Sequence, residues 1–156
     1  MARFEIETEI HASREVCFDL ARNIDFHLVS FSASGEKAVA GRVEGLIELG
    51  EEVTWRARHF GMTHLHTSRI TEYDRPTHFR DSMTEGRFAR FDHDHYFEEK
   101  DRSTIMRDVV DFAWPLGLLG RVANQLFLNR YLKNIITTHG KNIKREAEKK
   151  FSALSG

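Results

Sequence analysis

Two histidines and two aspartates alternate in the segment FDHDHYF, which spans residues 91–97. Strict alternation is typical of a β-strand, in which successive side chains point to opposite faces. Asp92 and Asp94 share one face with other charged residues, which indicates exposure to solvent. The other face carries both imidazoles between aromatic rings; its residues are Phe91, His93, His95 and Phe97. The histidines are therefore predicted to lie inside the protein, and the aspartates between them outside it.

Carboxylates that reach the buried histidines must come from the neighbouring strands. The segment THFRDSMTEG places Asp81 on an apolar face, and the segment TIMRDVVDF does the same for Asp108. The apolar residues that define these faces are Phe79 and Met83 in the first segment, and Met106, Val110 and Phe112 in the second. Both acids are therefore predicted on the interior side of the sheet.

The hairpin turns decide which residues face each other across the sheet. If one turn is centred on residues 86–88 and the next on residues 100–101, Asp81 and Asp108 both lie opposite His93. The predicted rows are Asp81–His93–Asp108 and Phe79–His95–Met106. A different register at either turn would change these rows. The prediction places His93 at the centre of the polar group and His95 nearer one end.

Three kinds of chemistry fit buried histidines beside carboxylates. Zinc needs three or four ligands, but the predicted rows place both acids beside His93, where hydrogen bonds satisfy them, so no metal is expected. An imidazole between carboxylates can transfer a proton, as enolisation, cyclisation or dehydration requires, with His93 and Asp81 or Asp108 as acid–base groups. The same residues can also form a hydrogen-bonded network that only fixes the shape of a pocket. No dinucleotide or phosphate-binding motif is present, and no cofactor is expected.

Composition narrows the class of protein. The 156 residues suffice for one domain over residues 1–156, with a single large core. The formal net charge of −1 gives no electrostatic support for nucleic-acid binding, and no segment approaches the ~20 apolar residues of a membrane span. Cys17 is the only cysteine, so the expected location is the reducing cytoplasm. It lies in a helical pattern and is expected to be a small buried residue.

The arrangement of secondary structure predicts an α+β fold. The N-terminal segment MARFEIETEI has the alternation of a strand, and two short helices follow, the first capped by Ser13 and the second around residues 24–30. Strand patterns separated by hairpin-length breaks continue to Trp114, which predicts an antiparallel meander. The remainder is helical. One long helix cannot fill the concave face of a curved sheet, so an internal cavity is expected.

The C-terminal helix has two apolar faces. One face carries residues at helical spacing, namely Leu128, Tyr131, Leu132, Ile135, His139 and Ile143. A second set lies about half a turn away: Leu119, Val122, Ala123 and Leu126. These two faces predict a break or bend between Gly120 and Leu128, with Leu118, Leu119 and Val122 near the pocket mouth. Such a segment would control entry or pair with a second copy of the chain in a homodimer.

Four segments occur in a characteristic order: GLIELGEEVTWRARHFG, SRITEYDRPTHFRDSMTEGRFARFDHDHYF, TIMRDVVDFAWPLGLLG and LFLNRYL. They resemble bacterial proteins of the START and pollen-allergen (SRPBCC) superfamily, of the polyketide cyclase/dehydrase or lipid-transport type. The resemblance extends from about Arg3 to about Ala147. It implies the helix-grip fold, a curved antiparallel sheet of about seven strands around a long C-terminal helix, with a pocket between them. The oxygenase members add an iron–sulfur domain with cysteines, which this sequence lacks, so their redox chemistry is not expected.

The resemblance implies no single activity, because one fold hosts many functions. The first hypothesis is binding or carriage of a small apolar molecule, such as a lipid, an isoprenoid or a polyketide-like compound. The second is a cofactor-free cyclase, aromatase or dehydratase, and the third is a scaffold that docks a partner or a membrane through residues 116–127. The residues expected to contact a ligand are Trp55, Phe79, Asp81, Met83, Phe91, His93, His95, Phe97, Met106, Asp108, Val110, Phe112, Leu128, Leu132 and Ile135.

Overall fold

The computed structural model describes residues 2–114 and 121–154. The strands are β1 (Ala2–Ile10), β2 (Lys37–Gly41), β3 (Glu52–His59), β4 (Met62–Asp74), β5 (His78–Glu85), β6 (Arg90–Lys100) and β7 (Ser103–Ala113). The helices are α1 (Arg14–Ala21), α2 (Ile24–Ser30) and α3 (Arg121–Leu154), and a short 3₁₀ turn covers Ser32–Ser34. This order agrees with the elements predicted from the sequence.

A single antiparallel sheet forms the framework, with seven strands in the order β1-β7-β6-β5-β4-β3-β2. The strands from β2 to β7 form a meander, and β1 pairs with β7 at the far edge. The sheet is curved and holds α3 on its inner side, while α1 and α2 cover one end. The predicted α+β helix-grip architecture is therefore confirmed.

The two short helices each begin at a capping residue, of which Ser13 was predicted. The Ser13 side chain accepts a hydrogen bond from the Val16 backbone N–H at the start of α1, and Asn23 accepts one from the Phe26 N–H at the start of α2. Helix α1 buries its apolar face, including Cys17 and Phe18, against the sheet. The Phe18 ring meets three other aromatic rings edge-on, those of Tyr73, Phe79 and Phe97. This contact closes one end of the sheet with dense core.

The thiol of the single cysteine, Cys17, should be unreactive in the folded protein. Cys17 is fully buried in the core beside Phe18, and burial raises the pKa of its thiol to about 11. Because the thiolate is the reactive species, a thiol reagent at pH 8 should label the native protein at least about tenfold more slowly than the urea-unfolded protein. Equal labelling rates in both states would show that Cys17 is accessible.

Helix α3 is continuous through the described residues, from Arg121 to Leu154. A break in the helix is therefore wrong for residues 121–128, whereas a bend there stays a prediction. Leu118, Leu119 and the side chain of Val122 lie outside the description. The second apolar face needs no break, because part of it remains exposed on an unbroken helix: Leu126 is 69% exposed and Phe127 59%. No described helix is long and apolar enough to cross a membrane.

One hairpin register agrees with the prediction and the other does not. Asp81 lies opposite His93 between β5 and β6, as predicted. Between β6 and β7, however, Asp108 lies opposite His95, and His93 faces Val110. Met106 accordingly faces Phe97 and not His95. The prediction of a single Asp81–His93–Asp108 row is therefore wrong.

The turn between β6 and β7 explains the difference. Lys100 pairs directly with Ser103, so the turn contains only Asp101 and Arg102. Asp101 adopts a left-handed conformation with φ of 55°, which suits a two-residue hairpin turn. The centre of the turn thus lies one residue later than predicted, and the pairing moves by two residues. A shift of two preserves which face each side chain occupies but changes its cross-strand neighbour.

Candidate functional site

A cavity of about 580 Å³ lies between the sheet and helices α2 and α3. Its volume is within the usual range for a small-molecule site. Most residues predicted to contact a ligand line it: Trp55, Phe79, Asp81, Phe91, His93, His95, Phe112, Leu128, Leu132 and Ile135. The walls are mainly aromatic and aliphatic, and the polar groups are mainly histidines. The predicted cavity is therefore present, and both histidines of the FDHDHYF segment face it.

Five residues predicted to contact a ligand do not line the cavity: Met83, Phe97, Met106, Asp108 and Val110. Phe97 and Met106 are fully buried in the core that includes Phe18. Val110 belongs to a second apolar cluster near β1, and the Met83 sulfur lies against Gly86. Alternation identifies the inner face of a strand, but part of that face is covered by α1 and by the strand ends. Phe97, Met106 and Val110 are consequently core positions, and the cavity occupies only the remainder of the inner face.

Two aspartates and two histidines from three adjacent strands form one group, the His–Asp cluster: Asp81, His93, His95 and Asp108. Asp108 Oδ1 lies 2.9 Å from His93 Nε2 and 3.0 Å from His95 Nδ1. Asp81 Oδ2 lies 3.1 Å from His95 Nε2 and 3.8 Å from His93 Nδ1. The two imidazole rings are in contact, with centroids 3.8 Å apart and planes inclined by 37°. Each carboxylate therefore meets both histidines.

The contacts within the cluster differ in quality. His93 Nε2 and Asp108 form a hydrogen bond, as do His95 Nε2 and Asp81. His95 Nδ1 is close to Asp108 but does not meet it in hydrogen-bond geometry, so this buried nitrogen has only an electrostatic contact. Asp81, His93 and His95 line the cavity, whereas Asp108 lies behind the imidazoles and is almost completely buried. The cluster thus has an inner carboxylate and three groups that face the cavity.

Burial and ion pairing act in opposite directions on the pKa values of the cluster. Burial alone would lower the pKa of His95, but its contacts with Asp108 and Asp81 outweigh this and raise it to about 9. Burial alone would raise the pKa of each carboxyl group, but hydrogen bonds and charge from the imidazoles hold the pKa values of Asp81 and Asp108 below their usual range. Without a bound ion, the cluster therefore contains ionised carboxylates and a protonated His95 at neutral pH.

Further histidines line the cavity that the sequence analysis did not assign to the site: His27, His59, His64, His66 and His139. His139 Nδ1 lies 2.8 Å from Ser30 Oγ, and burial, with the charge of nearby His27, lowers the pKa of His139 well below its ordinary value. Burial likewise lowers the pKa of His66, whose Nε2 lies 2.9 Å from Ser68 Oγ. Both are therefore neutral hydrogen-bonding groups at physiological pH.

Two of these histidines belong to polar pairs at the cavity wall. His27 Nε2 lies 2.7 Å from Glu36 Oε1, and its ring stacks on Trp55 at 4.2 Å. His59 Nδ1 lies 2.6 Å from the Tyr131 hydroxyl. The helical spacing that placed His139 beside Leu132 and Ile135 was the available signal for that residue. No local pattern identifies His27, because α2 is only seven residues long and its position depends on tertiary packing.

The opposite face of the sheet carries a separate polar group. Asp94 lies on that face, as predicted, but it is buried and not solvated. The Arg80 guanidinium donates hydrogen bonds to both of its carboxylate oxygens, and His78 Nε2 lies 2.7 Å from Asp94 Oδ1. Arg80 also pairs with Glu72. This network is internally satisfied and lies outside the cavity.

Comparisons with known proteins establish only which fold this chain has. No family model matches the sequence, and no curated protein matches it. Among solved structures, the Zhui aromatase/cyclase from Streptomyces sp. R1128 superposes with a TM-score of 0.77 at 15% identity, covering 99% of this chain and 98% of that one. Protein TTHA0849 from Thermus thermophilus gives a TM-score of 0.70 at 17% identity, covering 99% and 100%.

A plant protein shares the same architecture. The major latex-like protein 151 of Panax ginseng superposes with a TM-score of 0.65 at 12% identity, covering 94% of this chain and 97% of that one. The chain has the helix-grip fold. The helix-grip chain and these neighbours are alike over almost their whole lengths. The identities are too low to carry an activity from one protein to another.

Proposed function

We propose that this helix-grip protein binds a small, largely apolar molecule, such as a lipid, an isoprenoid or a polyketide-like compound. The observation that carries this proposal is the 580 Å³ cavity. Aromatic and aliphatic side chains form most of its walls, and the cavity-facing groups of the His–Asp cluster supply a concentrated polar site. Apolar walls provide affinity, and a few placed polar groups orient the ligand. The ligand therefore has an apolar body and a polar group that accepts a hydrogen bond.

Filling the cavity should abolish binding without unfolding the protein. Ile135 lines the cavity from α3, and an Ile135→Trp side chain would occupy part of the space required by a ligand. We expect the dissociation constant of the neutral apolar fluorophore N-phenyl-1-naphthylamine to rise at least about tenfold. Titration by fluorescence measures this, with circular dichroism to confirm that the variant is folded.

A matched tryptophan elsewhere on the same helix provides the control. Thr138 is exposed on α3, so Thr138→Trp should leave fluorophore binding unchanged. Native mass spectrometry of the purified protein should additionally detect a retained small molecule. If the wild-type protein neither retains a molecule nor binds the fluorophore, ligand binding in this cavity is excluded, and the scaffold hypothesis gains support if a protein partner co-purifies.

A second candidate function is cofactor-free acid–base catalysis of a cyclisation or dehydration. The observation that favours it is the 3.1 Å contact between Asp81 and His95, both of which line the cavity. A protonated imidazole and an ionised carboxylate side by side can donate and accept protons on one substrate. The structural neighbour from Streptomyces is named an aromatase/cyclase. Product formation from a poly-β-keto thioester analogue, lost in Asp81→Asn, would establish this activity, and unchanged turnover in that variant would exclude it.

The expectations about cellular location, nucleic-acid binding and oligomeric state are proposals too. A cytoplasmic location is supported by the single reduced cysteine, Cys17. The net charge of −1 gives no reason to expect a nucleic-acid partner. A homodimer would bury the exposed side chains of Leu126 and Phe127. Sedimentation analysis of the wild-type protein and of Phe127→Ser tests this last proposal directly.

A further inference from the structure

The observed strand register removes the reason for which the sequence analysis expected no metal ion. The sequence predicted that both acids would satisfy His93 alone, whereas each carboxylate in fact approaches both imidazoles. The donors divide into two sets. His93 Nδ1 and His95 Nε2 are directed towards Asp81, and the other nitrogen of each ring is directed towards Asp108. The histidines thus present one nitrogen each to the cavity side and one each to the buried side.

We propose that Asp81, His93 and His95 bind one divalent transition-metal ion, such as Zn²⁺ or Fe²⁺, at the polar end of the cavity. The proposal concerns the same cavity as the proposed function but does not require that an apolar ligand be bound. Two imidazoles and one carboxylate are a common donor set for such ions when open positions remain for water or substrate. The open positions would face the cavity.

The distances between the donor atoms fit this assignment. One nitrogen of His93, one nitrogen of His95 and one oxygen of Asp81 all lie within 4.8 Å of one another. Donors about 2.1 Å from a tetrahedral ion are separated by roughly 3.4 Å. The measured separations from Asp81 Oδ2, 3.8 Å to His93 Nδ1 and 3.1 Å to His95 Nε2, lie on either side of that value. Small side-chain rotations would therefore complete the site.

Asp108 has the position of the outer carboxylate that metal-binding histidines require. It lies behind the rings, does not line the cavity, and forms a hydrogen bond with His93 Nε2. A histidine that binds metal through one nitrogen generally donates its other N–H to such a group, which fixes the ring orientation. The buried His95 Nδ1, 3.0 Å from the same carboxylate but not in hydrogen-bond geometry, would gain this bond by a small rotation.

The charges of the cluster also favour a dication. Among residues 2–114 and 126–154, whose side chains the structure describes, neither Asp81 nor Asp108 forms an ion pair with an arginine or a lysine. Asp108 is buried and Asp81 is partly buried, so their carboxylates need compensating positive charge. Two imidazolium rings whose centroids are 3.8 Å apart would repel each other. One divalent ion compensates both carboxylates while both rings remain neutral.

The test uses metal-free full-length protein, prepared with a chelator that is then removed. Titration with Co²⁺, followed by its visible absorption and by calorimetry, should show about one ion bound per chain, displaced by Zn²⁺. The double variant His93→Ala and His95→Ala should lose the absorption band. Asp81→Asn, whose amide keeps the shape of the side chain, should bind at least about tenfold more weakly, and Asp108→Asn about 10–100-fold more weakly. Because Asp81→Asn is conservative, it decides the question even if the double variant does not fold.

A second three-residue group provides the matched control. Glu72, His78 and Asp94 also bring possible donor atoms together, but on the opposite face of the sheet, where Arg80 already pairs with the acids. His78→Ala should therefore leave Co²⁺ binding unchanged. No saturable binding to the wild-type protein, or binding that persists in Asp81→Asn and is lost in His78→Ala, would overturn the proposal.

The metal-site proposal and the apolar-ligand proposal can be refuted independently of each other. Binding of N-phenyl-1-naphthylamine is measured on metal-free protein, so it reports on the cavity without the ion. Loss of metal binding in Asp81→Asn with retained fluorophore binding would support a metal site in a functional cavity. Metal binding without fluorophore binding would refute the apolar-ligand proposal and leave the metal site standing.

Discussion

Replacing His95 by leucine is expected to lower the free energy of unfolding by about 3–5 kcal/mol, which is typical when one partner is removed from a buried ion pair. His95 is the residue that lies within about 3 Å of both carboxylates, 3.1 Å from Asp81 and 3.0 Å from Asp108. Leucine fills a similar volume but offers no donor. The variant therefore leaves charge buried between β5 and β7 that is only partly compensated by His93. Urea unfolding followed by circular dichroism, with a chelator present, measures the loss.

Two companion variants separate charge from volume. His93→Leu should cost less, because His93 forms one close contact, with Asp108 at 2.9 Å, and its other carboxylate is 3.8 Å away. Asp108→Asn should be milder still, about 1–2 kcal/mol, since the amide can continue to hydrogen-bond with the ring. If His95→Leu changed the unfolding free energy by less than about 1 kcal/mol, the cluster would not carry the charges assigned to it.

Replacing Phe18 by alanine is expected to lower the free energy of unfolding by about 3–5 kcal/mol, the usual range for deleting a buried phenyl ring. Phe18 is fully buried and meets the rings of Tyr73, Phe79 and Phe97 at centroid distances of 5.4, 5.3 and 5.4 Å. These contacts fasten α1 to the sheet. Removing the ring leaves a void that the surrounding rigid aromatic groups cannot fill.

The Phe18 variant also distinguishes core from cavity. Phe18 does not line the cavity, so the folded fraction of Phe18→Ala should bind N-phenyl-1-naphthylamine with nearly the wild-type dissociation constant. Val29→Ala is a matched control in α2, because Val29 is 70% exposed and its truncation should change stability by less than about 0.5 kcal/mol. A loss of similar size in both variants would contradict the assignment of Phe18 to the core.

The fold was predictable because its signals are local and repeated. Ser13 was recognisable as a helix start from its capping chemistry, and residues 24–30 were predicted as a second short helix. The alternation in FDHDHYF assigned each side chain of β6 to the correct face. A break in the long helix is absent for a physical reason as well: an apolar residue such as Leu126 can remain exposed, so a second apolar face does not require a break.

The site was less predictable because it depends on pairs of residues that are distant in sequence. The rows around His93 changed when one turn, at Asp101–Arg102, was centred one residue later than expected. His27 reaches the cavity only because α2 packs against the end of the sheet and stacks the ring on Trp55. Such positions result from long-range packing, which leaves no periodic pattern in the local sequence.

The sequence by itself determined the class of fold and which strand side chains face the interior, since side-chain alternation in strands and spacing in helices follow from backbone geometry alone. It determined that His93 and His95 face inward together with Asp81 and Asp108. Only the tertiary structure decided which carboxylate meets which imidazole, because a two-residue shift in pairing leaves every face unchanged while replacing every cross-strand neighbour. The predicted pairing would hold a single histidine between two acids. The observed pairing brings two histidines into ring contact, and each presents one nitrogen, with Asp81, to a common point beside the cavity.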